Sequence, residues 1–416
     1  MTEPVMEPSR PLRAVHIITT FSLGGATETA LLTVRGLREL GYDASIICGP
    51  AIEAEGSLLE QAAEAGVKVE IIPYLKREID PVADVRAFFA LLGRLHAGRF
   101  DIVQTHGSKA GILGRLAARL GGVPVVIHLY HSFPYTARSH YLTKLIYSTV
   151  ERIATRWSTG LLAVTTDVIR RGMHDGVFGP GECAVARSGI DMNRFRSPRL
   201  VRDAVRSGWG LSRREVAVGT IGRVHTGKGQ DVLVDIAPQL CANVPELRLV
   251  IIGSGPLRDM LADRVRALGL ADRVLFIGRV PPDDMPETIS ALDILVHVSD
   301  REGLARVIMQ ALACGKPVVS YNLDGSPEIV ADRVNGRLVT PGDREDLIEA
   351  IIELARDERL RTAWGNNGPT TVDPEFRVET MVRQTDEHYR FLLTRAGLPL
   401  LPRRTVPLYE QWQSAP

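Results

Sequence analysis

Three short segments of this 416-residue sequence combine glycine with charge in a way that suits a phosphate. In IGRVHTGKGQ, a β-rich run over 216–221 ends in Gly222, Arg223, Gly227, Lys228 and Gly229, just ahead of a helical segment. Bare main-chain amides at a helix start attract anions, and two cations on such a turn would neutralise a diphosphate. Two solvated surface charges are the plainer reading of that pair. In HVSDREGLARV, an apolar strand runs into Glu302, Gly303, Leu304, Ala305 and Arg306, and a helix follows to about residue 314. With Glu302 at the helix N-terminus, the amides of 303–306 face a bound group. The carboxylate beside them would take sugar hydroxyls, or would be an ordinary N-terminal helix charge. In SLGGATETALL, Gly24 and Gly25 lie on a turn between a strand and a helix, which fits an anion site or a simple tight turn. IIGSGPLRDM repeats the arrangement at Gly253 and Gly255, where close packing is sufficient reason.

Such turns need strands and helices to hold them, and the hydrophobic pattern supplies both. Short apolar runs at 14–19, 43–48, 68–72, 102–105, 125–129 and 161–164 alternate with helical periods such as 26–40 and 84–95. The text becomes irregular over 179–199. A second alternation then begins at 216, with strands at 247–252, 274–277, 294–298, 317–320 and 337–339 and helices near Gln230, Leu257, Met285, Val307 and Arg344. This predicts an α/β protein of two doubly wound, Rossmann-like domains facing across a cleft. An amphipathic segment over 376–393 comes last, before a proline-rich tail expected to be loose.

Composition narrows the function classes. Hydrophobic residues make up 45% and charged residues 24%, which excludes a disordered or collagenous chain. A net charge of +1 gives no bulk reason to bind nucleic acid. Cys48, Cys183, Cys241 and Cys314 are widely spaced, so reduced core thiols are expected and no zinc site. The first residues, MTEPVMEPSRPLR, carry no apolar signal core, and no run is long enough to span a bilayer, so the expected location is the cytoplasm. Asp283 and Asp284 follow two prolines and read as helix-capping charges.

The segment 297–330 resembles family 4 of the glycosyltransferases, in which an EG(F/L) turn is followed eight positions later by a second glutamate. GGA near the start, THGSKAG at 105–111, SGID at 188–191, GR then KG at 222–229, GSGP and ACGKPVVS match further landmarks in order, over roughly 15–393. The resemblance implies a GT-B fold, with 1–200 binding the acceptor, 201–375 binding the nucleotide sugar, and 376–416 a C-terminal helix crossing back to the first lobe and then the tail. It implies a retaining enzyme that moves a hexose or N-acetylhexosamine from a nucleotide diphosphate sugar, expected to be a UDP-sugar, to a glycan or polyprenyl-linked acceptor in cell-surface polysaccharide synthesis. Carried over by position, Arg223 and Lys228 hold the diphosphate, Glu302 the sugar hydroxyls, and Gly303, Leu304, Ala305 and Arg306 supply backbone contacts. Gly25 matches a first-lobe loop near the diphosphate, and His131 matches a histidine beside the donor sugar, with His128 its positional rival. Front-face transfer needs no protein nucleophile, and the cations stand in for a metal; no cofactor is implied beyond the donor substrate.

Two departures stand out. Gln310 occupies the place of the second glutamate, which in relatives binds the ribose diol, and it offers one acceptor and two donors where a carboxylate offers acceptors only. Eight helical residues from Glu302 would span about 12 Å, enough to place Gln310 under the ribose. Ala305 stands where relatives often carry proline or glycine. A nucleotide-sugar epimerase of the same architecture and a non-catalytic nucleotide-sugar binder are the alternative functions. The segment 133–157 combines Tyr135, Tyr141, Tyr147 and Trp157 with Arg138, Lys144, Arg152 and Arg156 against the single Glu151, which fits either an interfacial helix touching the inner face of the cell membrane or a helix packed on the first lobe.

Overall fold

Near-continuous apolar runs such as VVIHLY and LRLVII are what a strand covered on both faces requires. The computed structural model, which describes residues 10–52, 55–136, 139–198 and 202–406, buries both inside parallel sheets. The chain divides into two compact units, Met1–Gly189 with Val378–Pro416, and Ile190–Arg377. The first holds β1 (Arg13–Ile18), β2 (Asp43–Cys48), β3 (Val69–Ile71), β4 (Ile102–His106), β5 (Val125–Tyr130), β6 (Gly160–Ala163) and β7 (Cys183–Val185), in the order β3-β2-β1-β4-β5-β6-β7. The second holds β8 (Val216–Ile221), β9 (Leu247–Ile252), β10 (Val274–Gly278), β11 (Ile294–His297), β12 (Val318–Tyr321) and β13 (Gly336–Val339), in the order β10-β9-β8-β11-β12-β13. In each sheet the winding direction reverses once, between β1 and β4 and between β8 and β11. Open α/β sheets bind ligands beyond the strand carboxyl ends at that reversal.

Local chemistry sets the helices around the sheets. Asp80 accepts from the amides of Val82 and Ala83 to start Pro81–Gly98, and Asp343 and Asp357 cap Arg344–Arg356 and Glu358–Val372 in the same way. Glu358–Val372 contains Gly365, Gly368 and Pro369, which erase its helical signal in the sequence. Those two glycines are there for contact: a Cβ on Gly368 would lie 2.5 Å from the Leu312 carbonyl, so the helix rests directly on Arg306–Ala313.

The two compact units divide at Gly189 and Ile190. Asp191 caps the short helix Met192–Arg196, and the Cys314 thiol donates to the Phe195 carbonyl (3.0 Å), which ties this stretch to the second unit. The last helix, Val378–Arg395, belongs to the first unit and packs against Gly25–Glu39. Its Asp386 accepts from Tyr42 (2.7 Å) and its Arg390 donates to the carbonyl of buried Leu401 (2.9 Å), so the tail begins anchored. Residues 407–416 of the expected loose tail and the first nine residues lie outside the described residues.

Candidate functional site

In the second unit the reversal between β8 and β11 brings two of the sequence's charged turns side by side. The turn after β8 ends at Gly229, which caps Gln230–Asn243 at φ +82° with no side-chain cap. A Cβ there would lie 2.3 Å from the Val298 carbonyl, so only glycine lets this turn close on the end of β11. Gly253 approaches Gly222 in the same way, with an ideal Cβ 1.9 Å from the Gly222 carbonyl, which accounts for the GSGP segment by packing. The Gly227 carbonyl accepts from the Asp300 amide (2.8 Å) and the Ser299 hydroxyl (3.2 Å), locking the two turns together. Arg223 is exposed on the first turn, and its carbonyl accepts from the Gln230 side-chain Nε2 (3.3 Å).

Lys228 reaches across and donates to Glu302 Oε1. The Glu302 amide in turn donates to the Asp324 carboxylate (2.7 Å), and the Gly303 carbonyl accepts from Gly325 (3.0 Å). His297, at the end of β11, places Nε2 3.8 Å from the same Glu302 oxygen. Burial draws Glu302 toward its neutral acid, but Lys228, His297 and the Ser299 hydroxyl outweigh it and hold the carboxyl below its usual value. Burial, reinforced by Lys228 and opposed by Glu302, holds His297 below the usual imidazole value. The site is thus a bonded lysine and glutamate pair with the His297 ring behind them. A diphosphate would accept from Lys228, and sugar hydroxyls would donate to Glu302.

One expectation is corrected. The helix begins at Arg306 with Ala305 as its N-cap, so Glu302 precedes it by four residues and is held by Lys228 and the Asp324 turn instead of by the helix. Gly303, Leu304 and Ala305 form the buried, non-helical approach, and the first turn of the helix begins at Arg306 and Val307. Arg306 and Gln310 are both buried and lie one turn apart on one face of this helix. His297, Ser299 and Asp324 escaped the sequence reading; the DG turn at 324–325 and a histidine closing a strand were the only signals. Asp283 bonds Arg194 (2.8 Å), and neither it nor Asp284 caps a helix through its side chain.

The first unit has its own reversal, between β1 and β4. Gly25 begins the helix Gly25–Glu39 behind Gly24, both exposed and without a side-chain cap. His131 follows β5, half-buried, with Nε2 3.0 Å from Nδ1 of His106 at the end of β4. His128 is a core residue: it is buried, bonded to the Thr105 hydroxyl (2.8 Å) and set edge-on to Tyr130. A Cβ on Gly111 would lie 2.5 Å from its ring, which explains the last glycine of THGSKAG.

On the helix Tyr141–Thr155, Tyr141, Leu142, Leu145, Ile146 and Ile153 are exposed. Glu151 is turned inward to Arg115 (2.7 Å), with both side chains buried, while Lys144 pairs with Asp175 (2.8 Å). Tyr135 is buried, and Arg138 lies outside the described residues. Among the described residues no helix is long and apolar enough to cross a membrane, and no three His, Cys, Asp or Glu side chains cluster to hold a metal. Cys48, Cys183, Cys241 and Cys314 are free thiols; burial pushes Cys48, Cys183 and Cys314 up to about 12.

Two Rossmann-like units, each with a loop site at its sheet reversal, define a protein of the GT-B class. The family profile "Glycosyl transferases group 1" matches residues 201–371, and "Glycosyl transferase 4-like domain" matches 24–187. The chain is 30% identical over 403 residues to the 2-deoxystreptamine N-acetyl-D-glucosaminyltransferase of Streptomyces fradiae, covering 90% of this chain and 93% of that protein. It is 27% identical over 352 residues to the Escherichia coli UDP-Gal:alpha-D-GlcNAc-diphosphoundecaprenol alpha-1,3-galactosyltransferase, covering 84% and 89%. The crystal structure of Anabaena HepE in complex with UDP and glucose shares the fold, with a TM-score of 0.77 at 22% identity over 91% of this chain and 100% of that one. The chain belongs to the group 1, or family 4, glycosyltransferases, enzymes that take a sugar from a nucleotide donor.

Proposed function

We propose that this enzyme transfers, with retention, a hexose or N-acetylhexosamine from a UDP-sugar to a glycan or polyprenyl-linked acceptor of a cell-surface polysaccharide. The observation that carries the reading is the bonded Lys228 and Glu302 pair beyond the carboxyl ends of β8 and β11, beside the N-terminus of Arg306–Ala313. In this reading Lys228 and Arg223 take the diphosphate, Glu302 and the amides of 303–306 take the sugar, and Gln310 serves the ribose. The leaving diphosphate is stabilised by fixed cations and helix amides, so the protein needs neither a nucleophile nor a metal. In the first unit, the family resemblance assigns Gly25 to a loop near the diphosphate and His131 to the donor sugar. The E. coli relative names both a UDP-sugar donor and a diphosphoundecaprenol acceptor, and HepE was crystallised with UDP, which favours uridine over other bases. The exposed apolar face of Tyr141–Thr155 suits peripheral contact with the membrane carrying such an acceptor.

Titration calorimetry with UDP, GDP, ADP and their sugars, followed by transfer assays that read the anomeric configuration of the product, tests this directly. UDP binding and an α-linked product from an α-linked donor are expected. Lys228→Ala and Glu302→Ala should each abolish transfer while the protein stays folded. No affinity for any sugar nucleotide, or full activity in either variant, overturns the proposal.

A further inference from the structure

In the second unit Glu302 Oε1 lies between two nitrogens, one bonded to it and one held back. Lys228, from the turn after β8, donates to it. His297, from the end of β11, places Nε2 3.8 Å away. The imidazole is buried, and this nitrogen has no hydrogen-bond partner among the described residues. Buried polar atoms are rarely left unpaired, and each exception calls for a reason. Exposure ranks the three side chains, at 34% for Lys228, 27% for Glu302 and 10% for His297, so an anion arriving from solvent meets the ammonium first and the imidazole last.

The main chain on both sides is fixed. β11 and β12 pair His297 with Ser320, whose hydroxyl donates to the His297 carbonyl (3.0 Å). The Glu302 amide donates to Asp324 (2.7 Å). The Glu302 side chain is left to turn about its own torsions, and a shift of about 1 Å toward His297 closes the gap to an ordinary N–H···O distance. Ser299 also steadies Glu302, but it divides its single hydroxyl proton between the carbonyls of Gly227 and Arg301 (3.2 Å each), so it cannot take over the carboxylate by itself. Lys228 and Glu302 are the charges that bear on His297, with opposite sign, so drawing Lys228 off strengthens the attraction between imidazole and carboxylate.

We infer that Glu302 changes partners when the donor binds: the diphosphate draws Lys228 away, and His297 Nε2–H takes over the carboxylate, which makes His297 the residue that positions Glu302 for the sugar. A carboxylate only accepts, so Nε2 carries the proton in this second state. Without the donor, Lys228 and Glu302 neutralise each other. With His297 behind it, Glu302 releases Lys228 without being stranded as an unpaired charge beside an incoming anion. The trigger rests on the proposed donor site; the choice of Glu302 between two partners does not.

Proton spectra of the full chain, labelled with nitrogen-15 histidine, read the bond directly, with the His297 signals assigned from their loss in His297→Gln. The ligand-free protein should show no low-field, hydrogen-bonded Nε2–H proton from His297. Lys228→Met keeps most of the side chain and removes the charge, and it should make that proton appear with no ligand present. Saturating UDP should make it appear in the native protein. By titration calorimetry, His297→Leu should lower UDP affinity at least about tenfold, and His297→Gln, which again offers an N–H, should recover most of it. In the Lys228→Met background, where no pair has to be broken, His297→Leu should change the affinity by less than about twofold; an equal loss in both backgrounds marks a purely structural role and overturns the inference. So does a His297 proton already bonded in the ligand-free protein, or its absence in Lys228→Met. Bound UDP that leaves the His297 proton unbonded means that Lys228 holds both anions, and it refutes the exchange. If His297→Leu does not fold, or Lys228→Met binds UDP too weakly to measure, the spectra decide. A chain in which Lys228→Met shows the proton but the native protein binds no sugar nucleotide refutes the donor-site reading and leaves the two partners of Glu302 standing.

Discussion

Acidification should weaken the first unit well before its carboxylates titrate. Burial holds His16 at about 3 and His388 at about 4, both from an ordinary 6.5, and drives His106 and His128 down in the same direction, His106 with neighbouring imidazoles and His128 with Arg115 adding to the effect. A base whose native value is depressed is neutral in both states above pH 6.5 and contributes no pH dependence there. Below 6.5 the unfolded chain takes up a proton that the native fold refuses, so stability falls as pH drops toward the native values. At about 1.4 kcal/mol per pH unit per group, His16 and His388 each remove about 2 kcal/mol by pH 5, so about 4 kcal/mol together, with His106 and His128 adding to the loss. That is a large share of the roughly 5–15 kcal/mol that holds an ordinary domain. Glu302 does not confound the measurement: its carboxyl is held below 4.5, so the stability it brings is present above that value and lost only at lower pH. Because two units need not unfold together, the assay is native-state hydrogen exchange of the β1 and β4 amides from pH 7.5 to 5, corrected for intrinsic exchange. A drop of at least about 4 kcal/mol is expected, and His16→Gln should reduce the slope by about 1.4 kcal/mol per pH unit. A change below about 1 kcal/mol over that range would refute the reasoning, since it would mean the imidazoles are solvated or already charged.

Gly229→Ala forces a side chain into a left-handed conformation at about 1–2 kcal/mol and against the Val298 carbonyl, so nucleotide affinity should fall at least about tenfold by calorimetry. Gly24→Ala, at an extended φ of 168° with no atom within 4 Å, should leave the melting temperature unchanged, and an effect on turnover alone would mark a close approach of substrate. Glu151→Ala strands a buried Arg115 and should cost about 3–5 kcal/mol in urea unfolding, most of it recovered when Arg115→Met is added. Gln310→Glu restores a second carboxylate one turn from Arg306 and should raise UDP affinity about tenfold together with turnover; a gain in binding without a gain in turnover would argue against attenuation as the role of Gln310.

The fold was legible wherever periodicity alone decides. β2 and β9 sit at the residues their apolar runs indicate, because central strands buried on both faces tolerate little else. β7 was missed because it is a three-residue strand at the sheet edge with little buried surface, so no hydrophobic pattern is demanded of it. Glu358–Val372 was missed for the opposite reason: the close approach to Arg306–Ala313 selects glycines, and those glycines read as loop. The second-unit site was legible in part because helix starts and glycine turns write their geometry locally. Lys228 and Glu302 could be named from spacing, whereas their direct bond, and the roles of His297 and Asp324, depend on which strand lies beside which.

The histidines show what decides between two readings that spacing leaves level. His131 and His128 differ by three positions, and composition favours neither. Register separates them: β1 and β4 pair His16 with Gln104 and Ile18 with His106, so His16, Gln104 and His106 share one face of the sheet. β4 and β5 pair Thr105 with His128, which puts that imidazole on the other face, against Gly111 and Tyr130. The face holding His16 and His106 is the one on which Tyr389 arrives, its hydroxyl oxygen 3.0 Å from His16 Nε2, and His131, just past the end of β5, lies 3.0 Å from His106. A slip of one residue between β1 and β4 would put Thr105 where His106 stands and break that contact, so the neighbours of His131 are set by a pairing register that no local motif encodes.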